Sequence, residues 1–333
     1  MRVLIAGGVF RLSEQDRRAR QAAPEIVLSE GLRAAGVDVR TSPLEDWRSV
    51  ALASDCDVVH VHHLSKAALA SALVPRARPF VFTEHMTVRY PARSLRAAHR
   101  VVLARAARVV CLSEAEAEAK RAAFGLAPAR LAVIPNGIAP WPDGPRRRTL
   151  GPREPVTLLF VGQLDPIKQV HRAIEALAAL PRRFVLRLVY HRDALRAPLR
   201  ELARELGVDE RVTFAGQRAG AALAREYQQA HVLVLPSASE ALPSVVTEAL
   251  LTGLPVLASA VGGVPGQVRD AGLLVTPDPA DSLAAPLTAL TGDYDRYAAA
   301  AFDRARTIAA EFTVERMVDR HIALYRSLRG GRR

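Results

Sequence analysis

The chain has 333 residues, which is more than one hydrophobic core usually supports, and two domains are therefore expected. Half of the residues are hydrophobic and 24% are charged, a composition that excludes an intrinsically disordered chain. The formal net charge of +12 is typical of nucleic-acid binders. Aromatic residues make up only 5%, however, and no basic run is interleaved with rings that stack on bases, so we expect no nucleic-acid partner.

The two cysteines, Cys56 and Cys111, lie far apart and predict neither a disulfide framework nor a thiolate metal site. The first residues, MRVLIAGGVF, turn at a glycine pair after a short apolar run and predict a β-strand rather than a signal peptide. No stretch approaches the roughly 18 apolar residues of a membrane-spanning helix. We therefore expect a cytoplasmic protein whose only membrane contact would be peripheral, on the inner face.

The first half of the chain alternates β-rich runs with helical ones. The predicted strands are RVLIAG, VDVRTS, CDVVHVHH, RPFVFTEH, RVVCLS and LAVIPNG, and they are separated by the helical segments PEIVLSEGLRAAG, WRSVALAS, SKAALASALV, ARSLRAAHRVVLARA and EAEAEAKRAAFG. This alternation predicts βαβ units and a parallel sheet covered on both faces. We assign residues 1–140 to this N-terminal domain.

The segment IAPWPDGPRRRTLGPREP contains five prolines and no periodicity, and it predicts a linker, which we assign to residues 141–155. After it the strands VTLLFVG, RFVLRLVYH, RVTFAG, HVLVLPS and PVLASA alternate with the helices KQVHRAIEALAAL, LRELARELG, AALAREYQQA and SVVTEALLTG. This second domain spans residues 156–305. The tail is predicted to be helical from about Asp281, and its last part, a C-terminal helix at 306–333, is expected to pack back on the N-terminal domain.

The predicted fold class is therefore α/β, with two doubly wound, Rossmann-like parallel-sheet domains. Ligands of such sheets bind beyond the carboxyl ends of the strands. The expected site is a cleft across which the two domains face each other, and its residues should lie in the loops that follow strands.

One such loop, in FVGQLDPIKQV, places Lys168 where a strand exit meets the next helix. A lysine at this position can reach an anionic ligand, assisted by helix N-terminal amides. The alternative is a solvated surface lysine. The chain contains only three lysines and uses arginine elsewhere, which favours a specific role.

Residues 236–253, PSASEALPSVVTEALLTG, form a second strand exit followed by a helix. Pro243 suits a first helical turn and Ser244 is a possible cap, so the helix N-terminus offers unpaired N–H groups to an anion. Glu240 lies in the loop and Glu248 lies four residues after Ser244, on the same helix face. Carboxylates there can accept hydrogen bonds from sugar hydroxyls. The alternative is a capping acid and a helix-surface acid.

The next strand exit is SAVGGVPGQV, in which Gly262 and Gly263 either allow close approach to a ligand or form a turn. Both interpretations depend on the absence of a side chain, so the residues alone do not decide between a ligand contact and a turn.

Histidines follow two strands of the first half: HVHHLS contains His60, His62 and His63, and FTEHMTVRY contains Glu84 and His85. Imidazoles are common zinc ligands. No ligand spacing such as HExxH accompanies them, and we therefore expect no metal site. His85 is a candidate hydrogen-bond donor across the cleft, or a loop histidine satisfied by its neighbours.

Taken together, the motifs resemble those of the retaining, nucleotide-sugar-dependent glycosyltransferases of the GT-B fold, family 4. FVGQLDPIK resembles the family's FVGRLxxxKG, RVTFAGQ its VxFxGxV, and LPSASEALPSVVTEALLTGLPVLAS its PSxxEGFGLVxLEAMAxGxPVVAS, which includes the EX7E spacing. In the first half, DVVHVHH, FTEH, VVCLSE and LAVIPNGI resemble further family motifs in the same order. The resemblance covers nearly the whole chain.

The resemblance implies a role for each matching residue. Lys168 would contact the donor diphosphate and stabilise the leaving group, Glu240 would bind the hydroxyls of the donor sugar, and Glu248 would bind the ribose. His85 would lie near the transferred sugar and Gly8 beside the donor phosphate. The backbone around the start of the second-domain helix would hold sugar and phosphate, namely at Leu242, Pro243 and Ser244.

The implied substrate is a nucleotide-sugar donor, UDP- or GDP-linked, used without a metal or a cofactor. Gln163 stands where the family has an arginine on the diphosphate, and another arginine, Arg11 or Arg218, could replace it. Gly266 stands where the family commonly has a glutamate. Other activities that share the fold, such as a nucleotide-sugar 2-epimerase, and a catalytically weak nucleotide-sugar-binding protein are the alternatives.

The acceptor is a sugar, a lipid-linked glycan or a small molecule, and the resemblance implies that it is selected by two loops, GGVFRLSEQDRR and HMTVRYPARSLR. Residues 92–108 place Arg93, Arg96 and Arg100 at near-helical spacing. This pattern suits either peripheral contact with anionic lipid or a solvated helix face.

Overall fold

The structure, a computed structural model, describes residues 1–14, 17, 23–74, 78–85 and 92–330. The chain folds as two compact units. The first unit comprises Met1–Ala139 together with the chain from Phe312 onward, and the second comprises Pro140–Glu311.

The first unit contains a six-stranded parallel sheet in the order β2-β1-β3-β4-β5-β6. Its strands are β1 (Arg2–Ala6), β2 (Asp38–Ser42), β3 (Val58–His62), β4 (Phe80–Thr83), β5 (Arg108–Cys111) and β6 (Leu131–Val133). All six were predicted from the sequence. Connecting helices are α1 (Pro24–Ala34), α2 (Trp47–Leu52), α3 (Lys66–Leu73), α4 (Arg93–Arg105) and α5 (Glu114–Phe124), with 3₁₀ turns at Gly8–Arg11 and Pro128–Arg130.

Local signals explain where several of these helices begin and end. The Ser65 hydroxyl accepts the N–H of Ala68 at 3.1 Å and caps α3, and Ser113 caps α5 in the same way. Gly125 ends α5 with φ of +65°, a left-handed conformation that favours glycine. Pro24 occupies the first turn of α1, where its missing N–H costs nothing.

The second unit contains a second six-stranded parallel sheet, in the order β12-β11-β10-β7-β8-β9. Its strands are β7 (Val156–Val161), β8 (Phe184–Val189), β9 (Val212–Gly216), β10 (Val232–Leu235), β11 (Val256–Ser259) and β12 (Gly272–Val275). Its helices are α6 (His171–Ala179), α7 (Arg196–Glu205), α8 (Gly220–Gln229), α9 (Ser244–Leu251), α10 (Val264–Val268), α11 (Ala284–Gly292) and α12 (Tyr294–Glu311), with 3₁₀ turns at Pro166–Lys168 and Asp209–Arg211.

The predicted pattern of the second unit lacks two of these elements. Strand β12 has only four residues, and α10 is a five-residue helix that contains both Pro265 and Gly266. Neither is long enough to show a period, and proline and glycine indicate a turn rather than a helix.

The last helix, α13 (Val314–Gly330), returns to the first unit and packs beside α1. Alternate residues of β1 enter two cores. Leu4 and Ala6 belong to a core that includes residues of α3 and α4, whereas Val3 and Ile5 belong to a core that α1 and α13 complete. The parallel sheet is thus covered on both faces, as the alternation of strands and helices in the sequence predicts.

The proline-rich segment before β7 has no helix or strand, yet it is firmly bound to the second unit. The Arg148 guanidinium donates to the carbonyl oxygens of Tyr227, Ala230 and Gly253 at 2.6 to 3.1 Å. Burial lowers the pKa of Arg148 to about 10. The compact second unit accordingly begins at Pro140.

Both cysteines are buried and free. Among the described residues, no helix is both long enough and apolar enough to cross a membrane.

Candidate functional site

Lys168 ends the 3₁₀ turn that follows β7 in the second unit. Asp165 begins this turn, and its carboxylate accepts the Lys168 backbone N–H at 3.3 Å. Pro166 occupies the first turn position, and Gln169 continues the chain in the left-handed region, with φ of +47°. This tight geometry fixes the lysine backbone close to the strand end, and its side chain is 20% exposed rather than fully solvated.

The Lys168 ammonium contacts the carboxylate of Glu240, with Nζ 2.6 Å from Oε1. Ser237, in the same loop as Glu240, donates its hydroxyl to that oxygen at 2.7 Å. The two loops are also joined by their backbones, because the Ala238 N–H donates to the Ile167 carbonyl at 2.7 Å. The predicted cation and the first predicted acid are therefore brought together by the neighbouring strands β7 and β10.

The N-terminus of α9 adjoins this ion pair. Pro243 is the residue before the helix and provides no side-chain cap, and Ser244 is the first residue of the helix. Leu242 and Pro243 are buried, whereas Ser244 is exposed. The side-chain amide of Gln267 donates to the Pro243 carbonyl at 3.0 Å and so helps to fix the loop before α9. The first helical N–H groups carry partial positive charge at this end.

Glu248 lies one turn further along α9 and is only 8% exposed. The Tyr227 hydroxyl donates to its carboxylate at 2.6 Å, and the indole N–H of Trp141 donates to its backbone carbonyl at 3.0 Å. Burial raises the pKa of Glu248, although the bonds from Tyr227 and Ser244 oppose the shift. Glu248 is therefore not a helix-surface acid.

The glycine pair after β11 forms a turn that packs on the loop of the acid. Gly262 has φ of +52°, and a Cβ atom there would overlap the carbonyl oxygen of Glu240. The Gly263 N–H donates to the Ala241 carbonyl at 2.8 Å. These glycines therefore act as a turn that supports the Glu240 backbone.

Gln163, in the loop after β7, is half-buried. The two arginines considered as replacements for a cation at this position are engaged elsewhere. Arg218 pairs with Glu226, with Nε 3.3 Å from Oε1, and Arg11 of the first unit lies 3.7 Å from Glu45.

The remaining predicted residues, Gly8 and His85, belong to the first unit. Gly8 begins the 3₁₀ turn after β1 and has room for a side chain, since a Cβ there would contact only Leu44 at 3.7 Å. The preceding Gly7 is the more constrained residue of the pair, because a Cβ there would lie 2.9 Å from the Glu25 side chain.

His85 follows β4 and stacks on His62, with ring centroids 4.9 Å apart. Its Nε2 lies 2.6 Å from Nδ1 of His62, and its Nδ1 is buried with no hydrogen-bond partner in the described part of the chain. Burial lowers the pKa of His85 to about 4, so the ring is neutral at physiological pH. The neighbouring Glu84 is buried in a different cluster, with Lys120 and His99.

The histidines are arranged differently from what their sequence spacing suggested. His60 and His62 are buried within β3, whereas His63 follows it and lies 3.5 Å from Glu25. Ligand atoms of Glu25, His63 and His85 lie within 4.8 Å of one another. Because the three residues come from separate segments of the chain, no motif such as HExxH could reveal this cluster.

Sequence patterns also gave no indication of the residues that hydrogen-bond to Glu240 and Glu248. Tyr227 and Ser237 carry no local signature, since a buried tyrosine on an amphipathic helix is ordinarily a core residue and serine is common in loops. Trp141 lies in the segment predicted as a linker.

Of the two acceptor loops expected from the sequence, residues 15, 16, 18 and 86–91 lie outside the described residues. The helical segment after the second loop is α4. Its Arg93, Arg96 and Arg100 side chains are exposed, and Leu95 among them is 45% exposed.

Two family models match the chain. The model described as Glycosyltransferase Family 4 matches residues 9–140, and the model described as Glycosyl transferases group 1 matches residues 146–304. With two Rossmann-like domains and a strand-exit site in each, the chain has the GT-B architecture. It belongs to the glycosyltransferases of family 4.

Curated relatives are named D-inositol 3-phosphate glycosyltransferase. The protein from Actinosynnema mirum is 36% identical over 205 residues, which are 55% of this chain and 49% of the relative. The protein from Geodermatophilus obscurus is 33% identical over 301 residues, 81% of this chain and 66% of the relative. The chain thus spans about half to two thirds of the length of these relatives.

Solved structures share the fold over nearly the whole chain. Sucrose-phosphate synthase from Thermosynechococcus elongatus has a TM-score of 0.79 at 23% identity, covering 98% of this chain and 99% of that one. Anabaena HepE, in complex with UDP and glucose, has a TM-score of 0.78 at 20% identity, covering 98% and 100%. At these identities the likeness concerns the fold alone.

Proposed function

We propose that the protein is a retaining glycosyltransferase that moves a sugar from a nucleotide-diphosphate sugar to an acceptor hydroxyl. The observation that carries the proposal is the contact of Lys168 with Glu240 at 2.6 Å, beside the N-terminus of α9. A cation and helix N–H groups suit a diphosphate, and a carboxylate suits sugar hydroxyls. The site thus offers positive groups for the diphosphate of a nucleotide-sugar donor and a carboxylate for its sugar.

Each residue then has a defined task. Cleavage of the anomeric C–O bond leaves negative charge on the diphosphate, which Lys168 and the first N–H groups of α9 stabilise. Glu240 orients the donor sugar, and Glu248, held by Tyr227, binds the ribose. His85, which is neutral, donates or accepts a hydrogen bond at the transferred sugar.

In the transfer step, the acceptor oxygen bonds to the anomeric carbon on the face from which the diphosphate leaves. The C–O bond to the diphosphate breaks with its electron pair, and the acceptor proton passes to a phosphate oxygen. Because Lys168 and the first N–H groups of α9 would stabilise the negative charge on the diphosphate, the step is proposed to need neither a metal nor a cofactor.

We propose UDP as the donor nucleotide, with GDP as the alternative, because HepE was solved with UDP and with UDP-glucose. The acceptor class is a sugar, a lipid-linked glycan or a small molecule. The names of the curated relatives make D-inositol 3-phosphate the first acceptor to test. A lipid acceptor is supported by the exposed arginines and Leu95 on α4, which suit an anionic surface.

The test is transfer of radiolabelled sugar from UDP- and GDP-sugars to a panel of acceptors, with the product anomer assigned by NMR. Lys168→Ala should lower kcat by about 100-fold or more, the usual effect of removing one donor that stabilises charge in the transition state. Lys66→Ala, which removes an exposed lysine of the first unit, is the matched control and should leave kcat unchanged.

Three outcomes would contradict parts of the proposal. Near-normal turnover by Lys168→Ala would overturn charge stabilisation by that residue, an inverted anomer would overturn retention, and loss of activity in EDTA would overturn metal independence. Conversion of the donor to its epimer without acceptor would identify a 2-epimerase instead. Nucleotide binding without any reaction would identify a binding protein.

A further inference from the structure

Three side chains of the first unit converge from separate segments of the chain. Glu25 lies in the first turn of α1, His63 directly follows β3, and His85 follows β4. One potential ligand atom from each lies within 4.8 Å of the others, and His63 Nε2 is 3.5 Å from Glu25 Oε1. Two imidazoles and a carboxylate form the donor set of open zinc sites, in which three protein ligands leave a fourth position for water or substrate.

The free nitrogen of His85 is the observation that points to a ligand. Its Nδ1 is buried and has no hydrogen-bond partner among the residues that the structure describes, while its Nε2 lies 2.6 Å from Nδ1 of His62. A metal bound at Nδ1 requires that the proton of His85 is on Nε2, from which it donates to His62. The stacked His62 would then orient the ligand, as the outer partners of metal-bound histidines do.

Glu25 supplies the negative charge that a cation requires. Its side chain is 7% exposed. Its carboxylate faces the His63 imidazole, with Oε1 3.5 Å from Nε2.

The backbone at His63 adopts a conformation that is unfavourable for a residue other than glycine. Its φ of +67° lies in the left-handed region, which only two other non-glycine residues of the described chain adopt. The Thr83 carbonyl accepts the His63 N–H at 2.8 Å and helps to hold this conformation. Such strain concentrates at functional sites. The His63 side chain is 36% exposed, which gives an ion a route from solvent.

We propose that Glu25, His63 and His85 form a binding site for a divalent transition-metal ion of the zinc class. The inference does not rest on the proposed sugar transfer, but it shares His85 with it, so a bound ion and a sugar hydroxyl would compete for that side chain. An ion in this site engages His85 and thereby removes its Nδ1 from hydrogen bonding with any other ligand.

The test uses the full chain without an affinity tag, stripped with EDTA and transferred to chelator-free buffer. Zn²⁺ is titrated by isothermal calorimetry, and bound zinc is counted by elemental mass spectrometry after gel filtration. We expect one zinc per chain. Co²⁺ in its place should give the intense visible absorption of a four-coordinate site.

Two variants and a control separate ligation from folding. His63→Gly removes the imidazole at a backbone position that favours glycine, so zinc affinity should fall about 10-fold or more while the midpoint of thermal unfolding stays the same or rises. Glu25→Gln should weaken binding similarly. His191→Ala removes an exposed histidine of the second unit and should bind zinc as the wild type does.

The proposal is overturned if the wild-type chain retains no zinc, or if His63→Gly binds it as tightly as the wild type. It is equally overturned if His191→Ala loses as much affinity as His63→Gly, since the metal would then bind exposed histidines at random. None of these measurements depends on glycosyltransferase activity.

Discussion

Besides His85, three further histidines of the first unit are buried without charge, and mild acid should therefore unfold this unit. His60, His62 and His321 are at most 4% exposed. Burial lowers the pKa of all three, to about 4 for His321. In His60 both ring nitrogens are engaged, Nδ1 with the Tyr325 hydroxyl at 2.7 Å and Nε2 with the Thr83 hydroxyl at 2.6 Å.

Acid destabilises the folded state because the unfolded chain binds these protons at a higher pH than the folded chain does. The unfolded chain takes up these protons as the pH falls below about 6.5, whereas the folded unit takes up the proton of His321 only near pH 4, and the pKa values of His60 and His62 are also lowered well below the ordinary value. The stability that they contribute is therefore complete above about pH 6.5 and is lost as the pH falls toward the folded pKa values. Glu25 adds nothing to this loss, because it stays ionised in both states above its ordinary pKa of 4.5.

The loss in free energy of unfolding expected from these histidines is large compared with the stability of an ordinary domain. At about pH 5, protonation of one histidine with a folded pKa of about 4 stabilises the unfolded state by about 2 kcal/mol, so His85 and His321 together account for about 4 kcal/mol, and His60 and His62 act in the same direction. A domain typically has about 5 to 15 kcal/mol in total. We therefore expect the first unit to be close to unfolding at that pH.

The two tryptophans allow each unit to be followed by itself. Trp47 lies in the first unit and Trp141 in the second, so urea unfolding of Trp141→Phe and Trp47→Phe reports one unit each. Between about pH 7.5 and pH 5, the midpoint of the first unit should fall by about 2 to 4 M urea. The second unit should change less, since His231 is its one described histidine whose pKa is lowered. A shift of the first unit no larger than that of the second would refute the reasoning.

Three further predictions concern the second unit. Tyr227→Phe removes the hydroxyl bonded to Glu248 and should lower the free energy of unfolding by about 1 to 3 kcal/mol; an equal loss in a Glu248→Gln background would show that the pair is not responsible. Gly262→Ala should cost about 2 to 4 kcal/mol in urea unfolding because of its positive φ and the backbone overlap, whereas Gly266→Ala, where a Cβ would meet nothing, should not destabilise the protein. Gln163→Arg should tighten donor binding about tenfold in calorimetry by adding one charge-assisted hydrogen bond to phosphate; unchanged affinity would mean that the position does not face the donor.

Local patterns predict where Lys168 and Glu240 lie but not what they contact. Strand periodicity places each residue after a strand. Their contact depends on β7 and β10 being neighbours, and that order is set by packing of the whole sheet. Likewise, Tyr227 and Glu248 are joined across two helices and a strand, and no local pattern relates them.

The cluster of Glu25, His63 and His85 shows the same limit. The sequence predicts that two of its members follow strands, and it places Glu25 only at the start of a helix. Their convergence requires the order of β1, β3 and β4 in the sheet and the left-handed turn at His63. A non-glycine residue gives no local signal for such a turn.

Helix α13 affects the order in which the chain can fold during synthesis. It supplies Met317, Val318 and Tyr325 to a core of the first unit, although the whole second unit lies between them in the chain. Domains fold as units while the ribosome extends the chain from its N-terminus. The second unit can therefore close first, and in nascent chains stalled after Glu311 we expect it to resist proteolysis while the first unit is cleaved. The N-terminal sheet, though made first, is completed last, and its uncovered apolar face is the surface on which a chaperone would act.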